Sequence, residues 1–389
     1  MTQHDPWLIR DDCRLYRGDR PCRFNRLCAG CPHYQPTGRR VCIIKLGALG
    51  DVIRTLCILP YLKQQDPDCR VTWVTSPAAL AFIADHPQID HVVGFDGPAA
   101  LALQQQRFDT LISLDKEPEP TALAMAIDAR RKLGIGMAAS GKPVPLNAQA
   151  RRYFALGLCD ELKFHKNQAT YPQLIYEAMG WPYHGQAYRL PLSEEDRAAA
   201  AQVLGESGWS THGPTVGINV GAATTFANKM WPVDRLVDLL GRLRAAEPQT
   251  QLVLLGGPAE QQRMQAIAQR VPACIHPGND HPAGRFVGLI DHCDVVFCGD
   301  TLAMHLAIAR RRGVVAFFGP TCSQEIDLFG LGEKLVADVP CGPCYKRRCD
   351  RADACLNAVS TADALSAIRR VLSHRLAGRR MPCPLPQAG

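Results

Sequence analysis

The chain alternates short apolar runs with segments of helical spacing, and it does so twice. Val41-Cys-Ile-Ile-Lys-Leu46 is short, apolar and followed by the tight Gly47-Ala-Leu-Gly50 turn, which predicts a buried strand. From Asp51 to about Gln65 the spacing is helical. Strand-like runs follow at Arg70 to Thr75, His91 to Phe95 and Phe108 to Leu114, with helical stretches between them. Residues 137–192, rich in Pro, Gly and Tyr, include the link between the halves. The pattern then restarts with a helix from Glu194 to Gly205. Strands are predicted at Thr215 to Val220, Leu252 to Leu255, Asp294 to Cys298 and Val314 to Phe318. Helices are predicted at Val233 to Ala246, Ala259 to Arg270, Thr301 to Arg311 and Thr361 to Leu376. Such alternation predicts an α/β protein with parallel sheets covered on both faces. Two units of similar size predict two Rossmann-like lobes facing a central cleft.

Composition adds bounds. With 389 residues, 47% hydrophobic and 21% charged, the chain is an ordinary globular protein, and at roughly 100–200 residues per domain it holds two domains. The expected division is a Cys-rich extension over 1–39, a first lobe over 40–190, a second lobe over 191–360 with a Cys-rich loop at 341–355, and a helix and tail over 361–389. No run reaches the roughly 18 apolar residues of a membrane span. Met1 to Arg40 is polar, basic and Cys-rich, unlike a secretory signal, so a cytoplasmic protein is expected. The formal charge of +7 is carried by the ends. Residues 1–40 hold eight Lys/Arg against four Asp/Glu, and residues 301–389 hold thirteen against seven. Basic ends suit an anionic partner as well as a merely solvated surface.

Several familiar signals fail. No G-x-G-x-x-G follows a strand, and there is no G-x-S-x-G or H-E-x-x-H. Gly136 to Pro143 has nearly the spacing of a phosphate-binding P-loop, but Pro143 replaces the Ser/Thr that would bind magnesium. Asp66-Pro-Asp68 reads as a solvated turn rather than a metal site.

Three segments carry chemistry. The first strand leads into Lys45-Leu-Gly47-Ala-Leu-Gly50-Asp51-Val-Ile-Arg54-Thr55, which places Asp51 at the carboxyl end of a strand and the start of a helix. Open α/β sheets bind ligands at that edge. Gly47 and Gly50 permit a sharp turn and close approach to a ligand. Asp51 reads equally as a helix cap or as a catalytic carboxylate, and helix-end amides would lower its basicity. The second segment, Gly221-Ala-Ala-Thr224-Thr225-Phe-Ala-Asn-Lys229-Met-Trp-Pro232, follows a strand with hydroxyls and one ammonium suited to phosphate. The third, Gly299-Asp300-Thr301-Leu-Ala-Met-His305, turns from a strand into a helix whose free amides attract anions. His305 falls one helical turn beyond Thr301. A cap with a packed histidine is the competing reading there.

In order and spacing these segments, with Phe318 to Thr321, resemble glycosyltransferase family 9, the heptosyltransferases of lipopolysaccharide core assembly, over about residues 40–375. The resemblance implies the GT-B fold, with an acceptor lobe first and a donor-nucleotide lobe second. It implies inverting transfer of heptose from ADP-L-glycero-D-manno-heptose to an anionic lipid-linked acceptor, without a catalytic metal. Position by position, Asp51 matches the general base, and Thr224, Thr225 and Lys229 the diphosphate loop. Asp300 matches the acid that contacts the donor sugar, with Thr301 and His305 in the same motif. The chain departs from the usual pattern after Thr321, where it reads Cys322-Ser-Gln-Glu-Ile. A membrane-inner-face enzyme is the leading expectation, with no nucleic-acid partner. The same fold acting on a protein or another glycan is the alternative. A metal- or nucleic-acid-binding module without catalysis is the third.

Seventeen cysteines complete the picture. Two groups of four, Cys13, Cys22, Cys28, Cys31 (with His33 nearby) and Cys341, Cys344, Cys349, Cys355, lie in loops with little other means of order. Structural zinc or iron at four thiolates accounts for such spacing. The second group resembles a Cys-x2-Cys segment common in heptosyltransferases, and some protein-modifying relatives hold iron through four cysteines.

Overall fold

The computed structural model describes residues 5–221, 228–347, 349–351 and 354–378. The first sheet has six strands: β1 (Arg40–Ile44), β2 (Arg70–Thr75), β3 (His91–Gly94), β4 (Arg107–Ser113), β5 (Asp128–Met137) and β6 (Pro143–Pro145). Their order is β3-β2-β1-β4-β5-β6, parallel except for the β5–β6 pair. The second sheet has five parallel strands: β7 (Thr215–Asn219), β8 (Gln251–Leu255), β9 (Val295–Gly299), β10 (Gly313–Phe318) and β11 (Gly332–Val336). Their order is β11-β10-β9-β7-β8. The near-continuous apolar runs are explained by burial on both faces, since β7, β9 and β10 are buried at every position.

Each sheet reverses its winding once, between β1 and β4 in the first and between β7 and β9 in the second. Ligand crevices form beyond the carboxyl ends of strands at such points. The Asp51 segment leaves β1 at one switch point. The Gly299 segment leaves β9 at the other, beside the end of β7. A buried ion pair between Lys45 and Asp115 braces the first, and Leu46 N–H also donates to the Asp115 carboxylate.

Some elements differ from expectation. The single helix after Gly50 is two, Leu49–Thr55 and Ile58–Gln65. Tyr176 Oη donates to Cys57 O at 2.8 Å, taking up a carbonyl at the break. The Gly136 to Pro143 segment is the β5–β6 hairpin, so no helix follows it to hold a phosphate. Asp68 N–H donates to Asp66 Oδ1 at 3.1 Å, the expected turn. The terminal helix Thr361–Leu376 lies where expected and buries its apolar face in the second lobe's core. No helix among the described residues is long and apolar enough to cross a membrane.

Candidate active site

The two switch points open onto one cleft of about 810 Å³ lined by both lobes. On the first wall, Asp51 lies in the first turn of Leu49–Thr55, whose cap is Ala48, so Asp51 is not the capping residue. One helical turn on, Arg54 Nη2 binds Asp51 Oδ1 at 2.8 Å, and the guanidinium lies 3.7 Å from the Tyr171 ring centroid. Burial opposes the Asp51 charge. Arg54, Lys45, His305 and the Ala48 amide together outweigh it and hold the carboxyl down at about 2. Asp51 is therefore ionised at neutral pH and weakly basic.

On the second wall, Lys229 Nζ binds Asp300 Oδ2 at 3.0 Å and Asp300 O at 3.2 Å. Burial works against the Asp300 carboxylate, but Lys229 and His305 keep its pKa below the usual value. Thr301 caps the helix Leu302–Ala309, and its Oγ1 accepts from Asn219 Nδ2 at 3.3 Å, tying the β9 exit to the end of β7. His305 is buried and shares a 3.1 Å hydrogen bond between Nδ1 and Tyr188 Oη. Burial and then Arg54 push it down to about 4, so it is neutral at pH 7. Thr224 and Thr225 lie outside the described residues.

None of the three motif glycines has a left-handed φ, and two of them, Gly50 and Gly299, serve space. A Cβ on Gly50 would stand 2.5 Å from His305 Cδ2, across the lobe boundary. One on Gly299 would stand 2.5 Å from Lys229 O, whereas Gly47 faces no atom within 4 Å.

Residues the motifs did not flag also line the cleft. Asn219 ends β7, and Gly256 and Gly257 follow β8, the same strand-end signal as Gly299. Glu260 Oε2 accepts from Gly257 N–H at 2.9 Å. Arg54 stood in the quoted motif unassigned. Lys163, Glu325 and Tyr345 come from distant segments with no shared pattern.

All sixteen described cysteines are free thiols. Cys13, Cys22, Cys28 and Cys31, with His33, line one cavity of about 330 Å³ in the extension. That extension joins the amino ends of β1 and β2: Arg14 pairs with Asp68 at 3.8 Å, and Gly38 sits against Asp68 O. In the second group, burial raises the Cys355 thiol pKa, helped by Cys349, Cys344 and Cys341, so these sulfurs share one neighbourhood. It stands at the carboxyl end of β10, against Gly319. The two groups thus occupy opposite edges of their sheets. Among the described residues no group of three or more His, Cys, Asp or Glu is arranged to hold a metal ion.

Two Rossmann-like lobes with their switch points opposed across one cleft define the GT-B fold. The chain belongs to glycosyltransferase family 9 (heptosyltransferase), whose profile matches residues 99–354. Lipopolysaccharide core heptosyltransferase OpsX of Haemophilus influenzae is 21% identical over 301 residues, spanning 74% of this chain and 81% of that protein. ADP-heptose LPS heptosyltransferase II of E. coli has a similar structure, with a TM-score of 0.64 at 16% identity over 87% of this chain and 99% of that one. The iron-containing dodecameric glycosyltransferase TibC of enterotoxigenic E. coli shares the fold with a TM-score of 0.53 at 14% identity, over 88% and 80% of the two chains.

Proposed function

We propose that the chain transfers heptose from ADP-L-glycero-D-manno-heptose to a lipopolysaccharide core acceptor, with inversion, at the inner face of the cytoplasmic membrane. One observation carries the reading: Asp51 on one wall confronts Lys229, Asp300, Thr301 and His305 on the other within a single cleft. The names of the similar proteins support the donor and the acceptor class.

In this reading the acceptor hydroxyl attacks the anomeric carbon as the bond to the diphosphate oxygen breaks. Asp51 takes the hydroxyl proton. Its low basicity suffices because that hydroxyl becomes strongly acidic only as the new bond forms. ADP leaves with added negative charge. Lys229 and the free amides at the start of Leu302–Ala309 stabilise it, with Thr224 and Thr225 assigned to the same task. Base and leaving-group ligands sit on different lobes, so the reaction needs both walls held together.

The four-cysteine groups are assigned structural zinc or iron. Four thiols suit either metal in kind and number, and iron in TibC supports the assignment. No catalytic step uses the metal.

The test is turnover of ADP-heptose by the purified protein, read as ADP release, with heptose-free lipopolysaccharide or a polypeptide as acceptor. Asp51→Asn is expected to lower kcat by about 10²–10⁴-fold with ADP binding retained. Transfer only to the polypeptide would move the acceptor assignment. Absence of turnover with any acceptor, or full activity of Asp51→Asn, would overturn the reading.

A further inference from the structure

We infer that Lys163 is the anion-binding residue of an acceptor subsite, set in place by Tyr345 reaching across from the opposite lobe, and that it receives an acidic group of the acceptor, phosphate or carboxylate. The inference rests on the transferase reading and names a ligand contact within it.

Lys163 belongs to the first lobe, in the six-residue π-helical turn Glu161–Lys166. Turns of this kind recur at functional sites. The second lobe fixes its backbone. Gln324 Nε2 donates to the carbonyls of Lys163 and Phe164, each at 3.2 Å. The Lys163 ammonium lies 4.0 Å from the Tyr345 ring centroid. Phe164 stacks on the same ring, with centroids 5.4 Å apart and planes 7° apart.

Tyr345 is itself held under strain. Its φ is +51°, a left-handed angle that a bulky aromatic residue rarely adopts. Pro320 O accepts from the N–H groups of both Cys344 (3.1 Å) and Tyr345 (2.8 Å) and keeps it there. Such strain persists where surrounding structure over-determines it, which is the habit of functional sites. Here it delivers an aromatic ring, and the cation on it, to the cleft wall that both residues line.

The charges around Lys163 favour an anion. Lys116 stands close by on the same lobe, and burial together with the Lys163 charge pushes it down to about 8. Among the described residues no carboxylate lies within 4.0 Å of either ammonium. Glu325 faces Lys163 and Arg54 from the second lobe without contact, and burial favours its protonated form. A cation on the cleft wall, with a second ammonium near it and no contacting counter-ion, concentrates anions. Lys163 is on the lobe of Asp51, whereas Lys229, Gly256, Gly257 and Gly299 lie on the other. The acid it meets therefore belongs to the acceptor.

Steady-state kinetics with donor and acceptor varied separately test this. Lys163→Ala is expected to raise the acceptor KM about ten- to a hundredfold, with donor KM unchanged, and Lys163→Arg to restore most of it. Tyr345→Ala should raise the acceptor KM while Tyr345→Phe, which keeps the ring, should not. Acceptors stripped of phosphate or with esterified carboxylates identify which acid is bound, by loss of the Lys163→Ala effect. A second readout needs no turnover: with ADP saturating, inorganic phosphate should slow acetylation of Lys163, followed by mass spectrometry. If the protein shows no turnover, the transferase reading fails while phosphate protection still supports the anion site. An unchanged acceptor KM in Lys163→Ala, a rise in donor KM instead, or no protection by phosphate would overturn the inference.

Discussion

Gly50→Ala probes the lobe contact at the floor of the cleft with a single methyl group. A Cβ there would meet His305 Cδ2 at 2.5 Å, Nε2 at 3.2 Å and Cγ at 3.5 Å. Carbon atoms rest at about 3.5–4.0 Å, so the helices Leu49–Thr55 and Leu302–Ala309 must part by about 1 Å. His305 has little room to retreat, since it is 5% exposed, bonded to Tyr188 and carried on a helix buried at almost every position. The backbone angle at Gly50 tolerates alanine, so strain from φ does not enter. Overpacking of this kind costs about 1–3 kcal/mol. The displacement moves Asp51 away from the Asp300–Lys229 wall, and a shift of about 1 Å at reacting groups lowers rates about a hundredfold. ADP-release rates at saturating donor and acceptor measure kcat, and calorimetric ADP titration measures donor affinity. We expect kcat to fall about a hundredfold and ADP affinity to hold, because the Lys229 wall stays intact. Unchanged kcat in a folded Gly50→Ala protein would refute the claim that this contact sets the catalytic geometry.

The pH profile offers a second check. Asp51 is held at about 2 and His305 at about 4. Below its folded pKa His305 would charge, and above it the ring is neutral, so neither group titrates between about pH 5 and 8. kcat/KM should be flat between about pH 5 and 7, with a fall toward pH 8 as Lys116 loses its proton at about 8, and an inflection near 6 that vanishes in His305→Gln would contradict the assignment. The cysteine groups should separate by position. Cys344→Ser with Cys349→Ser is expected to weaken ADP binding, because Lys346 O holds Asn228 Nδ2 at 2.6 Å beside Lys229. Cys22→Ser with Cys28→Ser should lower the melting temperature and leave ADP affinity unchanged. Elemental analysis of all three proteins reports whether zinc or iron leaves with each group; retention of both metals in both variants would refute the assignment.

The alternation of strands and helices was legible because fully buried parallel strands read as apolar runs. The sheet order followed only after tertiary pairing. β5 was missed because it opens with Asp-Ala-Arg-Arg-Lys, polar residues at an exposed strand start. β11 was missed because it is short and only half-buried. The helix after Gly50 was read as continuous because a tyrosine more than a hundred residues away satisfies the carbonyl at its break. Asp51, Lys229, Asp300 and His305 stood out because each follows a strand at a chain turn. Arg54 shared the motif, yet its role depends on a carboxylate one turn back and a ring from residue 171. Lys163, Glu325 and Tyr345 meet only through folding, so no local pattern could join them.

Charge illustrates the same limit from the other side. The sequence concentrates its positive excess at the ends, and that distribution suggested how an acidic acceptor would be met. Yet no described residue of the amino-terminal extension lines the cleft. The extension hangs from the amino ends of the first sheet's strands, while the cleft lies beyond their carboxyl ends. Field strength at a buried site depends on a few charges within a Debye length of about 8–10 Å, not on totals. The cations that matter for an acceptor are Lys163 and its neighbour Lys116, with Arg54 paired to Asp51 beside them, all in the middle of the chain, where the overall balance is negative. Burial, nearly complete for the Arg54 side chain and partial for the two lysines, makes these charges consequential. It removes the water that would screen them, lowers the cost Lys116 pays for losing its proton, and leaves an acidic ligand as the group best able to neutralise the wall. An acceptor drawn by the basic ends alone would bind in a strongly salt-dependent way at the surface; one held at Lys163 would retain its affinity as salt rises.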